Sequence, residues 1–177
     1  MSAPVVIFAL GNPSRGDDAI GPEICGQLEK WLEDEHLADQ FELIEDFQLQ
    51  IEHALDLQGR RLALFIDAGE NTPAPYTFGQ IEAASGIAHT THELPPEAVH
   101  QVYLQPENTP PPPAFTLCVS GENFELGDPL SSAAQQHTRA AFELLQTLCR
   151  QASLEAWHRA AIRKHAGCAT KKRFPRS

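Results

Sequence analysis

The chain has 177 residues and a formal net charge of −11, with 42% hydrophobic and 21% charged residues. This length suits one domain with a sizeable core. No run of about 18 apolar residues is present, which argues against a membrane span. No basic segment precedes an apolar run at the N-terminus, so no cleavable signal is predicted. We therefore expect a cytoplasmic protein without a membrane partner.

The charges are distributed unevenly along the chain. Seven of the 13 Lys and Arg residues lie in 159–177, which contains no acid and so carries about +7. All 24 acids lie in 1–158, which leaves that part near −18 and argues against a nucleic-acid partner. We expect a single α/β domain in 1–152. The basic C-terminal helix or tail in 153–177 could dock on an acidic surface of its own chain or support self-association.

The four cysteines are widely spaced and form no C-x-x-C pair. This spacing argues against a zinc knuckle and is typical of reduced thiols in a cytoplasmic protein. Cys118 and Cys149 are predicted to lie in the core, rather than to act as nucleophiles. The two other cysteines are Cys25 and Cys168.

Hydrophobic periodicity predicts strands that alternate with helices. The predicted strands are 4–10, 41–45, 62–68, 77–83 (an edge strand) and 115–119. The predicted helices are 18–36, 49–57, 95 to about 104, 130–150 and 153–165, and the five prolines within 105–113 predict a stiff loop. This alternation predicts an α/β fold with a largely parallel sheet and helices on both faces.

Acidic residues follow two of the predicted strands. Asp17 and Asp18 come after the first strand, and Asp67 ends the strand 62–68. The carboxyl ends of parallel strands share one edge of a sheet, and His92 on a later loop could close over that edge. Two carboxylates and an imidazole suit a divalent ion such as nickel, zinc or manganese. The simpler alternative is that Asp17 or Asp18 caps the following helix.

The segment GNPSRGDDAIGPEI, together with Phe65-Ile66-Asp67-Ala68 and Thr91-His92-Glu93-Leu94, resembles the maturation endopeptidases of nickel-iron hydrogenases over about residues 5–150. The resemblance implies a three-layer α/β/α fold with a central, mostly parallel twisted sheet of about five strands. It also implies nickel binding and catalysis by Asp18, Asp67 and His92, with Asp17 as the alternative to Asp18. The nickel would be supplied by the substrate, a hydrogenase large-subunit precursor that loses its C-terminal extension after nickel insertion.

Two further segments could recognise the partner: Asp46 to Gln50, of sequence DFQLQ, and the proline-rich loop 105–113. Together with the basic tail, these segments resemble those of the maturation endopeptidases that serve soluble, NAD(P)-linked hydrogenases.

Three other functions stay open at this stage. The first is a non-proteolytic, flavodoxin-like module that binds phosphate or a nucleotide at the turn from Gly11 to Gly16. Two carboxylates at that turn would repel phosphate, and the GxGxxG and GxxxxGK motifs are absent. The second is a metallohydrolase of small substrates that stores its own metal. The third is a chaperone that holds the hydrogenase subunit without cutting it.

Overall fold

A computed structural model describes residues 2–81 and 111–169 of the chain, with side chains up to Ile162. The predicted helix from 95 and most of the proline-rich loop lie outside these residues. The strands are Val5–Leu10 (β1), Phe41–Asp46 (β2), Leu62–Gly69 (β3), Tyr76–Gln80 (β4) and Ala114–Ser120 (β5). The α-helices are Ile20–Asp34 (α1), Ser132–Arg150 (α2) and Leu154–Ala169 (α3), and short 3-10 helices span Gly16–Ala19, Ala38–Gln40 and Ile51–Leu57.

The five strands form one sheet in the order β2-β1-β3-β5-β4. β1 lies parallel to β2 and to β3, with Ile7 opposite Leu43 on one side and Leu64 on the other. β3 is parallel to β5, whereas β4 is antiparallel to β5 and forms one edge of the sheet. The predicted α/β class with a central, mostly parallel sheet of about five strands is confirmed. The predicted edge strand is also present, although the sequence pattern did not indicate its direction.

Alternating residues of the central strands supply two cores, one on each face of the sheet, because successive side chains of a strand point to opposite faces. On the first face, α1 buries Ile20, Ile24, Leu28 and Leu32. Helices α2 and α3 add residues to the same core. On the second face, Val6 and Phe8 pack with side chains from the segment that contains the helix Ile51–Leu57. The helical elements therefore cover the sheet from both sides, as the three-layer prediction requires.

Helix α3 contributes the largest fully buried side chain, Trp157. Its indole Nε1 donates a hydrogen bond to the Leu148 carbonyl at 2.9 Å, and its ring meets Phe115 edge-on with the centroids 5.4 Å apart. Ala161, one turn further on, is also buried in this core. The predicted domain boundary after residue 152 falls just before α3, and the first turns of this helix pack into the same core as α1 and α2.

A Trp157→Phe variant tests the contribution of this indole to stability. Phenylalanine keeps most of the aromatic packing but leaves the buried Leu148 carbonyl without its donor. We expect the free energy of unfolding to fall by about 1–3 kcal/mol. Urea denaturation gives this value, and His158→Phe serves as the control because His158 is exposed on the same helix. An unchanged unfolding free energy for Trp157→Phe would contradict the buried hydrogen bond.

Within residues 2–81 and 111–169, no helix has the length and apolar character needed to cross a membrane.

Candidate functional site

The connections of the central strands reverse direction between β1 and β3, which makes the carboxyl edge of these strands a candidate site. From β1 the chain passes through α1 to β2 on one side, and from β2 it returns past β1 to β3 on the other side. In open α/β sheets, ligands bind at the carboxyl ends of the strands where the order of connection reverses in this way. Asp18 follows β1, and Asp67 lies near the end of β3. The structure thus brings two of the three predicted ligands to the ends of neighbouring strands.

A tight turn holds the half-buried Asp18 in place. The Asn12 main-chain N–H donates to Asp18 Oδ2 at 2.8 Å, so the second residue after β1 contacts the carboxylate six positions later. Gly11 has a φ of +141°, and a side chain there would collide with the main-chain carbonyl oxygen of Asp18. Glycine is therefore required for the turn to approach Asp18 this closely.

A Gly11→Ala variant should disturb this turn more than it disturbs the sheet. The left-handed φ and the collision with Asp18 together are expected to cost about 1–3 kcal/mol of unfolding free energy. Thermal denaturation measures the loss, and Gly59→Ala is a matched control with φ +73° and open space around the added Cβ. Equal losses in the two variants would show that backbone conformation alone, without the contact to Asp18, determines the effect.

Asp67 is half-buried, and its Oδ1 accepts a hydrogen bond from the Ala68 main-chain N–H at 2.8 Å. Its partner across the sheet is Cys118 of β5, and cross-strand partners share a face. Burial raises the pKa of the Cys118 thiol and the charge of Asp67 adds to this, while a hydrogen bond with Thr72 acts in the opposite direction. The thiol is therefore protonated at neutral pH, which disfavours a role as a nucleophile. Cys118 is half-buried rather than a core residue, whereas Cys149 is buried as predicted.

The third predicted ligand, His92, lies outside the described residues, as does the whole Thr91–Leu94 motif. Within the described residues, no three His, Cys, Asp or Glu side chains lie close enough to hold a metal ion. Asp18 and Asp67 alone offer two carboxylates at one edge, which is an oxygen-rich but incomplete donor set. The role of His92 stays a prediction.

Asp17 has a different role from Asp18. Its side chain is fully buried and accepts four hydrogen bonds, from the main-chain N–H groups of Glu122 (2.7 Å), Asn123 (3.1 Å) and Ser131 (2.7 Å) and from the Ser131 hydroxyl (2.8 Å). Burial would raise the pKa of Asp17, but these hydrogen bonds outweigh it and lower the pKa below its ordinary value. Asp17 is thus a structural carboxylate, and its proposed alternative role as a ligand is wrong.

The helix-cap alternative for these two aspartates is also wrong. The N-cap residue of α1 is Ala19, and no side chain caps this helix. Asp17 instead contacts Ser131, which is the N-cap of α2 and whose hydroxyl accepts from the Ala134 N–H at 3.1 Å. The carboxylate therefore joins the turn after β1 to the start of a helix more than 100 residues later. Sequence reasoning missed this contact because no local pattern signals it.

Further hydrogen bonds join the turn after β1 to the loop 121–131. The Asp17 N–H donates to the Asn123 carbonyl at 2.6 Å, and the Gly127 N–H donates to the Ser14 carbonyl at 2.7 Å. Arg15 Nε donates to the Phe124 carbonyl at 2.9 Å. The loop after β5 and the turn that precedes Asp18 therefore form one hydrogen-bonded unit beside the candidate site.

A polar pair of the half-buried Asp46 and the buried His53 is also linked to this turn. The carbonyl of Asp46, the last residue of β2, accepts from the Gly11 N–H at 3.0 Å, and its carboxylate lies 3.3 Å from His53 Nε2. His53 Nδ1 accepts from the Gln50 N–H at 2.7 Å, so both ring nitrogens of this buried histidine are engaged. His53 lies in the 3-10 helix Ile51–Leu57 and anchors the segment that follows β2.

No family model and no curated protein matches the chain, but solved structures do. The [NiFe] hydrogenase maturation protease HycI from Thermococcus kodakarensis KOD1 is 19% identical, with a TM-score of 0.64 over 84% of this chain and 94% of that one. The hydrogenase maturating endopeptidase HybD from E. coli is also 19% identical, with a TM-score of 0.64 over 86% and 94%. The chain has the hydrogenase maturation-protease fold. HybD from Thermococcus kodakarensis, 17% identical, matches over 84% and 99% with a TM-score of 0.61.

The resemblance predicted from the three motifs is therefore confirmed at the level of the fold. At 14–20% identity, the likeness to the maturation-protease fold covers 80–86% of the chain. In this chain the motif aspartates Asp18 and Asp67 lie at the carboxyl ends of the neighbouring strands β1 and β3.

Proposed function

We propose that this chain is an endopeptidase that removes the C-terminal extension from the large-subunit precursor of a nickel-iron hydrogenase after nickel has been inserted. The observation that carries the proposal is the shared fold of the HycI and HybD proteases, with two of the three motif residues at its switch point. In its narrower form, the proposal assigns this chain to the endopeptidases that serve soluble, NAD(P)-linked hydrogenases.

In this proposal the nickel is cargo of the substrate. Asp18 and Asp67 would bind it with carboxylate oxygens, and His92 would supply the third ligand with an imidazole nitrogen. Three ligands without a thiolate suit transient capture of a metal that the substrate already holds. The tight turn fixes Asp18, and the hydrogen bond from Ala68 orients Asp67, so the capture site needs little reorganisation.

Capture of the nickel would place the bond to be cut beside the same carboxylates. A positioned carboxylate can accept a proton from water as a general base, which makes the water a better nucleophile toward the peptide carbonyl. Asp17 is excluded from this step because both of its oxygens are engaged and buried. We therefore assign proton transfer to Asp18 or Asp67.

The structure offers little support for the phosphate-binding alternative. The N–H of Asn12, the donor that a phosphate at the turn after β1 would use, already donates to the Asp18 carboxylate. Asp18 itself lies at the mouth of that turn, where its charge would repel an anion. No contact among the described residues favours a small-substrate hydrolase over the proposed endopeptidase.

The test is a mobility assay with the large-subunit precursor from the same source, prepared with and without nickel. The proposal predicts loss of a short C-terminal peptide from the nickel-loaded precursor only. Tight binding to both forms without cleavage would favour the chaperone. Metal that copurifies in stoichiometric amount, with no binding to either form, would favour the hydrolase.

A further inference from the structure

The segment that follows β2 carries apolar side chains both toward the sheet and toward solvent. Its inner side chains, Leu49, Ala54 and Leu57, are buried in the second core. Its outer side chains are exposed: Phe47 by 61%, Ile51 by 47% and Leu55 by 67%. We call these three outer residues the apolar surface. They are half of the exposed large hydrophobic side chains in the part of the chain that the structure describes.

Such a concentration differs from the single exposed leucines that most proteins carry. Three exposed large apolar side chains within nine residues of sequence are typical of a surface that binds another molecule. Here the inner side packs on the sheet, and the outer side is exposed. The apolar surface therefore suits a partner that binds over it.

The backbone beneath the apolar surface is held firmly. Asp46 Oδ1 accepts from the Phe47 N–H at 2.7 Å, and the second carboxylate oxygen of Asp46 lies 3.3 Å from the ring of His53. Gln50 and His53 form reciprocal hydrogen bonds at the start of the helix Ile51–Leu57. A preorganised segment loses little conformational entropy when it binds, so its exposed side chains are effective anchors.

The position of the apolar surface indicates what binds there. Asp46, at its edge, accepts a main-chain hydrogen bond from Gly11, in the same turn that holds Asp18. A protein that presents a peptide to Asp18 would therefore also meet this side of the turn. The segment itself also carries acidic side chains, with Glu52 exposed and Asp56 half-exposed.

From this arrangement we infer that Phe47, Ile51 and Leu55 form the docking surface for the folded body of the precursor. The precursor would contact this surface with an apolar patch that is rimmed by basic residues. The inference rests on the proposed function for the identity of the partner. Docking of the folded body would be independent of nickel, whereas capture at Asp18 and Asp67 would require it. The site would thus bind the precursor through two separate contacts.

Charge substitution at the apolar surface tests this inference. For Phe47→Asp and Leu55→Asp we expect the KM for nickel-loaded precursor to rise at least about tenfold with kcat unchanged, because anchor residues contribute to binding rather than to the chemical step. Binding of nickel-free precursor, measured by biolayer interferometry, should weaken by the same factor. Phe47→Leu should retain binding, and Leu154→Asp is the matched control because this exposed leucine lies on α3.

The outcomes separate the docking surface from the proposed function. Native KM and native binding in both aspartate variants would overturn the docking inference while the processing activity stands. Loss of binding in these variants, in a chain that never cleaves the precursor, would support docking and overturn the endopeptidase. A fall in the Tm of the free Phe47→Asp chain would show that the chain itself covers the surface. Dissociation of a dimer by this substitution, measured by sedimentation velocity, would show that a second copy covers it. Either result would also overturn the inference.

Discussion

An Asp67→Asn variant is expected to process the nickel-loaded precursor at least about 100-fold more slowly than the native chain. The amide keeps the size of the side chain and can still accept the hydrogen bond from Ala68, but it lacks the negative charge that binds a divalent ion. Asp18→Asn should show the same loss of processing rate without a loss of structure, since its amide oxygen can still accept the hydrogen bond from Asn12. His92→Ala should abolish processing and leave the fold intact. The measurement is kcat/KM for the loaded precursor.

Glu70→Gln is the matched control for this set. Glu70 is exposed and lies immediately after β3, so its replacement removes one nearby charge without touching the predicted ligands. We expect its kcat/KM to stay within about twofold of the native value. Full processing by His92→Ala would remove that residue from the mechanism, and equal losses in Glu70→Gln and Asp67→Asn would indicate a general effect of charge rather than binding of nickel.

The second large effect concerns stability. An Asp17→Ala variant is expected to lose about 3–5 kcal/mol of unfolding free energy, because three main-chain N–H groups and a hydroxyl lose their acceptor in a buried place. Asp17→Asn should lose somewhat less, since its amide oxygen can still accept some of these bonds. Urea unfolding at neutral pH measures both losses. Asp18→Ala is the control, with one hydrogen bond from Asn12 and a half-exposed side chain.

The same carboxylate makes stability depend on pH in a definite direction. Because the folded pKa of Asp17 lies below its ordinary value of 3.8, its contribution is fully present above pH 3.8 and is lost as the pH falls through the lower, folded pKa. The native chain should therefore lose unfolding free energy in acid more steeply than Asp17→Asn. Parallel stability curves for the two chains between neutral pH and pH 3 would contradict this assignment.

Local sequence patterns were sufficient to predict most of the elements. The continuous apolar runs of β1 and β3, buried almost throughout, gave strands at nearly the observed bounds. The helical spacing of apolar residues in 130–150 corresponds to α2. The positions of Asp18 and Asp67 also followed from the sequence, because parallel strands place their carboxyl ends at one edge.

Contacts between residues that are distant in sequence could not be predicted in this way. The burial of Trp157 depends on packing against Phe115, so a segment that appeared to be part of a basic tail begins as a core helix. Likewise, nothing in the GDDA segment distinguishes the fully buried, structural Asp17 from the half-buried Asp18. That distinction depends on the loop 121–131, whose position is determined by β5 and α2.

The hydrogen bonds of Asp17 also affect the order in which parts of the chain can fold during synthesis on the ribosome. Their partners lie 105 to 114 residues further along, so the turn before Asp18 cannot be completed while only the first strands have been synthesised. Contacts at such separation form late because the intervening chain must first be ordered. A nascent chain that ends before Ser131 therefore has both motif aspartates but not the framework that orients them. Under the proposed function, such a chain could not yet capture nickel.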